Sequence, residues 1–278
     1  MSQTFPSLDG RVAIVTGASR GLGREMALEL AAAGMCVGLF GAGESAALEE
    51  VREEAHRLSR GRAIAIAADV ADYAACEAAV ARAIAVFGRV DVLINNAGLG
   101  MRLISERFNT EPTKFWEASP QSWRRIVETN VIGAFNMARA VVPGMVARGF
   151  GKVINISTSD QTMVRRGYSP YGPSKAALEA ASRVWAQDLN GTGVDVNVYL
   201  PGGAADTDLL PPGEGKKGAD GNLLPASIMR RGILWLCADE SNGTTGARFI
   251  ARLWDEALPV AEAAAGARVA SVAKPVIM

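Results

Sequence analysis

The amino-acid sequence predicts an α/β fold in which a doubly wound parallel sheet of about seven strands is flanked by helices. Two observations support this prediction. Short β-branched and apolar runs alternate with longer helical stretches from residue 11 onward, and 49% of the 278 residues are hydrophobic, enough for a sizeable core. Because no internal repeat or low-complexity linker interrupts the pattern, we expect a single domain over residues 1–278.

The predicted strands span residues 12–16, 36–40, 63–67, 90–95, 151–157 and 194–199, with a short last strand at 248–251. Two long segments, residues 101–119 and 202–226, interrupt the alternation after the carboxyl ends of strands. Since doubly wound sheets bind ligands at that edge, we expect these segments to form the walls of a largely apolar substrate pocket. The alanine-rich end, residues 256–278, is compatible with a helix, a subunit contact or a disordered end.

Charge and composition exclude several classes of protein. Lys plus Arg and Asp plus Glu each number 29, so no net charge favours nucleic acid or an anionic membrane as a partner. No stretch is apolar over the roughly 18 residues of a membrane span, and no signal-peptide pattern opens the chain, so we expect a cytoplasmic protein. The cysteines form no C-x-x-C motif, and we expect them to be reduced, buried thiols. The only histidine, His56, lies among charged residues, which argues against Ser-His-Asp hydrolysis; no metal site is expected.

A glycine-rich turn joins the first predicted strand to a helical run. Its residues are Gly17, Ala18, Ser19, Arg20, Gly21, Leu22 and Gly23. Glycine lets the backbone approach a phosphate closely, and the N-terminus of the following helix offers free N–H groups with a partial positive charge. The strand before and the helix after this turn predict a binding site for the pyrophosphate of a dinucleotide.

Tyr171 and Lys175 lie four residues apart at the start of an alanine-rich helix, whereas the other tyrosines have no lysine at that offset. The spacing puts both side chains on one face, about one turn apart. A phenol can deliver a proton to a carbonyl oxygen as hydride arrives, or remove one from an alcohol, and a nearby ammonium favours its phenolate form. The pair predicts acid–base chemistry with Tyr171 as the acid/base.

The spacing Gly-x-x-x-Gly-x-Gly resembles the cofactor turn of the short-chain dehydrogenase/reductase family, which has a Rossmann-type fold. Further matches follow in the family's order: Asp69-Val70, Asn95-Asn96-Ala97-Gly98, Asn130, the pair Tyr171 and Lys175, and Pro201-Gly202. The resemblance covers most of the chain. It implies an oxidoreductase that transfers a hydride between NAD(P)(H) and a small-molecule carbonyl or alcohol.

The resemblance also implies individual roles. Asp69 and Val70 would contact the adenine. The residues that would line the rest of the coenzyme are Asn96, Ala97, Gly98, Pro201 and Gly202. Lys175 would hold the nicotinamide ribose, and Asn130 would bind a water that connects Lys175 to solvent. A homodimer or homotetramer that packs through the helices of Asn130 and Tyr171 is implied as well.

Three positions depart from the family pattern. The usual serine lies 13 positions before the tyrosine, where this chain has Thr158; Thr158 and Ser159 both offer a hydroxyl to orient the substrate oxygen, and we favour Thr158. No charged residue ends the second strand, so Arg20, which resembles the basic residue of NADP-using members, gives a slight preference for NADP over NAD. The segment that follows Thr245-Gly246 lacks the Asp-Gly-Gly sequence that is usual in the family.

The alternative interpretations are a non-catalytic dinucleotide-binding regulatory protein, an enzyme that reduces an imine or another C=X bond on the same scaffold, and an epimerase or dehydratase. Regulatory members usually have a broken tyrosine, lysine or glycine motif, and all three motifs are intact here. An epimerase or dehydratase would carry a different glycine spacing and a larger C-terminal substrate domain, for which 278 residues are too few.

Overall fold

The structure is a computed structural model that describes residues 4–60, 62–213, 216–218 and 221–270. Its strands are β1 (Val12–Thr16), β2 (Cys36–Gly41), β3 (Ala63–Ala67), β4 (Val92–Asn95), β5 (Gly151–Ile156), β6 (Val194–Leu200), β7 (Arg248–Ile250) and β8 (Arg268–Val269). They form one sheet in the order β3-β2-β1-β4-β5-β6-β7-β8. All neighbouring strands are parallel except β7 and β8. The first three strands extend from β1 toward one edge of the sheet, and the chain then returns so that β4 lies on the other side of β1. This change in the order of the strands is typical of doubly wound folds.

Helices cover both faces of the sheet. Within the described residues they are α1 (Gly21–Ala32), α2 (Ala46–Leu58), α3 (Tyr73–Phe87), α4 (Pro120–Val127), α5 (Gly133–Arg148), α6 (Asp160–Met163), α7 (Tyr171–Asp188), α8 (Ile233–Cys237) and α9 (Val260–Ala267). Between α4 and α5, Glu128–Ile132 forms a turn of π-helix. In the part of the chain that the structure describes, no helix is long and apolar enough to cross a membrane.

Alternate residues of the central strands face opposite helical layers. In β1, Ala13 and Val15 pack into the core cluster that includes α1 and α2, whereas Ile14 packs into the cluster that includes α3 and α5. All five residues of β1 are therefore buried. This burial on both faces explains why the residues of β1 before Thr16 form a continuous apolar run in the sequence.

The predicted fold class is confirmed, and the first seven strands begin and end within two residues of their predicted bounds. The eighth strand, β8, is not predicted. It is two residues long and pairs antiparallel with β7, and so short a strand carries no detectable periodicity. The same end of the chain contains α9, so the helical alternative is correct for residues 260–267, whereas residues 271–278 lie outside the described part.

Candidate active site

The turn after β1 leads directly into α1. Gly17 and Gly21 have φ values of 65° and 56°, which favour glycine. A Cβ on Gly23 would lie 2.3 Å from the carbonyl oxygen of Gly17, so a larger residue would push the first turn of α1 away from the loop. Arg20 precedes α1 and makes no side-chain capping hydrogen bond within the described structure. The first N–H groups of α1 thus have no side-chain cap, and this arrangement fits the pyrophosphate of a dinucleotide.

The segment after β4 holds this turn in place. The Thr16 hydroxyl accepts the N–H groups of Asn96 and Ala97 at 3.0 and 2.9 Å. The Asn96 side chain donates to the carbonyl oxygens of Thr16 and Gly17 at 2.9 and 3.1 Å. Two segments predicted to line the coenzyme are therefore fixed to each other across β1 and β4. Thr16 has no predicted role, although a hydroxyl at the end of a buried strand is a recognisable signal.

Tyr171 and Lys175 lie one turn apart at the beginning of α7. Lys175 is 5% exposed, and its Nζ donates to the carbonyl oxygen of Ile156 at 2.8 Å. The side chain of Thr158 lies beside Tyr171 and lowers the pKa of its phenol. Ser159 instead accepts the N–H of Thr162 at 3.2 Å and caps α6. Of the two predicted hydroxyls, the structure brings Thr158 to Tyr171.

Burial dominates the electrostatics of the tyrosine and the lysine. It raises the pKa of Tyr171 to about 12, and the side chain of Thr158 opposes this rise. Burial also lowers the pKa of Lys175 to about 8, which the carboxylate of Glu179 opposes. Tyr171 is therefore a neutral phenol at pH 7 in the chain alone, and the expected stabilisation of phenolate by Lys175 does not outweigh burial. A neutral phenol is the form that donates a proton.

Asn130 lies in the π-turn and is held by its neighbours. Its Oδ1 accepts the N–H of Leu99 at 2.8 Å, and its Nδ2 donates to the Leu99 carbonyl oxygen and the Ser174 hydroxyl, each at 3.0 Å. A Cβ on Gly98 would lie 3.3 Å from Asn130 Oδ1 and 3.6 Å from Lys175 Nζ. The structure thus brings Asn130 and Lys175 together at Gly98. Single π-turns frequently occur at functional sites.

Asp69 and Val70 follow β3. Asp69 accepts a hydrogen bond from Arg125 at 2.7 Å and another from the N–H of Ala71 at 3.0 Å. Val70 is 6% exposed, and its Cγ2 would lie 2.5 Å from a Cβ on Gly133. Asp69 is therefore held by a cation on α4. Sequence reasoning does not reveal this partner because 56 positions separate the two residues.

The turn at Pro201 and Gly202 packs against the end of β7. Gly202 has a φ of 90°, and a Cβ there would lie 2.4 Å from Cγ2 of Ile250. The Pro201 carbonyl oxygen accepts the N–H of Arg252 at 3.1 Å. The end of β7, which lacks the Asp-Gly-Gly sequence, thus supports the last of the predicted coenzyme segments.

The loop that continues after this turn reaches the glycine-rich turn. Thr207 Cγ2 would lie 3.1 Å from a Cβ on Gly21, and Asp208 Oδ2 lies 3.6 Å from Arg20 Nη1. Arg102 donates to the carbonyl oxygen of Asp208 at 2.7 Å. The two long segments, 101–119 and 202–226, therefore contact each other beside the coenzyme turn.

An apolar cluster adjoins Tyr171. Met101, Phe108 and Tyr168 are buried together, and Tyr171 and Leu210 pack against them. The rings of Phe108 and Tyr168 meet edge to face, with centroids 5.5 Å apart. Residues from both long segments thus meet beside the acid/base candidate.

A buried ion pair connects to the same site. Arg248 Nε lies 3.1 Å from Glu179 Oε1, and both side chains are 6% exposed. Arg248 Nη2 also donates to the carbonyl oxygen of Thr158 at 3.0 Å. Neither charged residue has a predicted role. The available signals are a carboxylate four residues after Lys175 and a cation within an apolar strand.

A dinucleotide turn after β1 and, on α7, a partly buried tyrosine one turn from a buried lysine define the class of NAD(P)-dependent oxidoreductases. Comparison with known proteins agrees. The family model for short chain dehydrogenases matches residues 11–215. The chain belongs to the short-chain dehydrogenase/reductase family, and it is an NAD(P)-dependent oxidoreductase.

Individual relatives cover most of the chain. A short-chain type dehydrogenase/reductase from Picea abies is 35% identical over 84% of this chain and 88% of its own length. An acetoacetyl-CoA reductase from Shinella zoogloeoides is 34% identical over 69% of this chain and 73% of its own length. The solved structure of a 3-ketoacyl-(acyl-carrier-protein) reductase from Brucella melitensis complexed with NADH is 29% identical, with a TM-score of 0.75 over 87% of this chain and 96% of that chain.

Proposed function

We propose that this chain reduces a carbonyl compound and that Tyr171 supplies the proton. The observation that carries the proposal is the placement of Tyr171 and the buried Lys175 one turn apart at the beginning of α7, with Thr158 beside the phenol. Burial keeps the pKa of Tyr171 at about 12, so the proton is present at neutral pH. A nicotinamide dinucleotide, held by its pyrophosphate at the glycine-rich turn, would supply the hydride.

The side chains have separate tasks in this reaction. The hydroxyl of Thr158 orients the carbonyl oxygen next to Tyr171. Tyr171 donates its proton to that oxygen, which completes the alcohol and leaves a phenolate. The ammonium of Lys175 stabilises the phenolate, and Asn130 holds the water through which a proton returns from solvent. In the opposite direction the phenolate removes the proton of an alcohol.

Coenzyme binding is assigned to the turn, to the segments around it and to the two α7 residues: Gly17, Ser19, Arg20, Gly21, Leu22, Gly23, Asp69, Val70, Asn96, Ala97, Gly98, Tyr171, Lys175, Pro201 and Gly202.

NADP is slightly preferred over NAD. Arg20 is a cation with 74% of its side chain exposed beside the turn. The end of β2 reads Phe40-Gly41-Ala42-Gly43 and offers no carboxylate to a ribose hydroxyl.

The substrate class is a ketone with an apolar group beside its carbonyl. Support comes from the buried cluster of Met101, Phe108 and Tyr168 next to Tyr171. Two relatives are named for reduction of acetoacetyl-CoA and of a 3-ketoacyl group. Residues 101–119 and 202–226 form the substrate walls of what we take to be one domain.

A titration of the purified protein with NADPH and NADH, followed by a panel of ketones, acetoacetyl-CoA and imines, tests this function. Oxidation of the reduced coenzyme with a ketone is expected in the parent and not in Tyr171→Phe. The matched control is Tyr73→Phe, which removes a hydroxyl at the start of α3. Turnover confined to imines would contradict the substrate class, and an active Tyr171→Phe variant would contradict the proton donor.

A cytoplasmic homodimer or homotetramer is part of the same proposal. Ile132 and Phe135 are 44% and 48% exposed around the start of α5, and Val184 is 53% exposed on α7. Apolar groups on these helices support a contact between subunits. All three cysteines are free and buried, in keeping with a reducing compartment. Fractionation of cells that express the protein at its natural level tests the location.

A further inference from the structure

Arg248 is a buried cation in the apolar strand β7. It pairs with Val198 on β6 and with Val269 on β8. Its side chain and that of Glu179 on α7 are each 6% exposed. Burying two ions costs free energy that their mutual attraction often fails to return. Stability by itself is therefore a poor explanation for this ion pair.

The other contacts of Arg248 reach the turn that follows β5. Its Nη2 donates to the carbonyl oxygen of Thr158 at 3.0 Å and lies 2.9 Å from Oδ1 of Asp160. One guanidinium thus connects Glu179, on the helix of Tyr171, with the turn that carries Thr158. A lysine could not reproduce these contacts, because its single ammonium lacks the planar fork of arginine.

We infer that Arg248 is a positioning residue that acts through Thr158. This inference rests on the proposed function, in which the hydroxyls of Thr158 and Tyr171 together receive the substrate oxygen. The two hydroxyls belong to different elements, and the connection from Glu179 through Arg248 to the Thr158 carbonyl fixes one element relative to the other. Catalytic groups must be held within a fraction of an ångström of their working geometry, and this ion pair supplies that constraint.

The test removes both charges together, with Arg248→Met and Glu179→Gln in the full-length chain. Removing Arg248 alone would leave a buried carboxylate unpaired, whereas removing both ions is often neutral for stability. Hydrogen–deuterium exchange of residues 156–163 is expected to be at least about 10-fold faster in this double variant, because the turn has lost its anchor. Unchanged exchange in that segment overturns the inference, whatever the activity.

A second buried ion pair provides the matched control. Lys152 Nζ lies 2.7 Å from Asp195 Oδ2, their side chains are 2% and 9% exposed, and they lie near the amino ends of β5 and β6. The double variant Lys152→Met with Asp195→Asn is expected to leave exchange at residues 156–163 and kcat unchanged. The same change in both double variants would show a general loss of stability and overturn the positioning role.

Turnover gives an independent readout. We expect kcat of the Arg248→Met, Glu179→Gln variant to fall about 10-fold to 100-fold, with the Kd of the coenzyme unchanged. Adding Arg248→Met and Glu179→Gln to Thr158→Val should lower kcat little below that of Thr158→Val alone, since residues that act through one another are not additive. Multiplying effects, or a parent-like kcat, would overturn the inference. A parent enzyme that turns over no carbonyl would instead contradict the proposed function, and the exchange result would still decide whether Arg248 positions the turn.

Discussion

Arg20 and Asp208 form an ion pair between the glycine-rich turn and the loop after β6, with Nη1 3.6 Å from Oδ2. Their side chains are 74% and 61% exposed, so the pair contributes little to stability. Its importance lies in its location. An anion bound at Arg20, such as the 2′-phosphate of NADP, and the carboxylate of Asp208 require the same guanidinium.

Replacing Arg20 therefore tests the coenzyme preference. Arg20→Ala is expected to raise the Kd of NADPH about 10-fold, the value of one exposed charge-assisted contact, and to leave the Kd of NADH unchanged. Asp208→Asn should lower the Kd of NADPH because it releases Arg20. Fluorescence titration of each variant measures both constants, and Arg24→Ala, in the first turns of α1, is the control. Equal losses for both coenzymes would contradict a phosphate-binding role.

A Cβ at position 23 tests the close approach in the coenzyme turn. In Gly23→Ala the new atom would lie 2.3 Å from the Gly17 carbonyl oxygen, whereas a Cβ on Gly43 has no heavy atom of a non-neighbouring residue within 4 Å. Gly23→Ala is expected to destabilise the chain by about 1–3 kcal/mol, as overpacking does, and to weaken binding of both coenzymes. Gly43→Ala should change stability by less than about 0.5 kcal/mol. Thermal unfolding with and without coenzyme measures both effects. Equal unfolding temperatures for the two variants would contradict the close packing of the turn.

Thr158 and Ser159 are distinguished by kinetics. Thr158→Val is expected to reduce kcat about 100-fold, because one oriented hydrogen bond to the reacting oxygen is lost. Thr158→Ser keeps the hydroxyl and should retain most of the activity. Ser159→Ala removes the cap of α6 and the hydrogen bond between the hydroxyls of Ser159 and Thr162, and it is the control for local disturbance. If steady-state assays gave a lower kcat for Ser159→Ala than for Thr158→Val, Ser159 and not Thr158 would be the residue that orients the substrate oxygen.

Lys175 gives a pH-dependent prediction for stability. Its pKa is lowered from 10.5 to about 8 by burial, so the unfolded chain binds more protons between those pH values and the stability of the parent rises with pH. Relative to Lys175→Met, the free energy of unfolding of the parent should increase by about 2 kcal/mol from pH 8 to pH 10. Denaturant unfolding at several pH values measures this difference. A constant difference would show that Lys175 titrates normally.

The proposed subunit contact is tested by a charge on α5. Phe135→Asp places a carboxylate on a side chain that is 48% exposed, and burying that charge in an interface costs several kcal/mol. We expect the variant to be monomeric in light scattering, with its circular dichroism spectrum unchanged. Val86→Asp, at a 55% exposed position on α3, is the control and should keep the parent's mass. A parent that is itself monomeric would contradict the proposed oligomer.

Much of the fold and site is predictable because it depends on short-range patterns. β1 to β7 are mostly apolar runs, the glycine-rich turn is recognised by its spacing, and the four-residue separation of Tyr171 and Lys175 fixes their common face. These properties are set by neighbouring residues, so the linear sequence is sufficient to predict them.

Other features depend on pairs that are distant along the chain. The contacts from Arg125 to Asp69 and from Arg248 to Thr158 join residues 56 and 90 positions apart. The choice between Thr158 and Ser159 depends on which hydroxyl meets α7, and the rise of the Tyr171 pKa above its ordinary value depends on burial. Burial and long-range contacts exist only after the helices and strands have packed together, so the tertiary structure determines the pKa shifts and the support of residues whose identities the sequence already indicates.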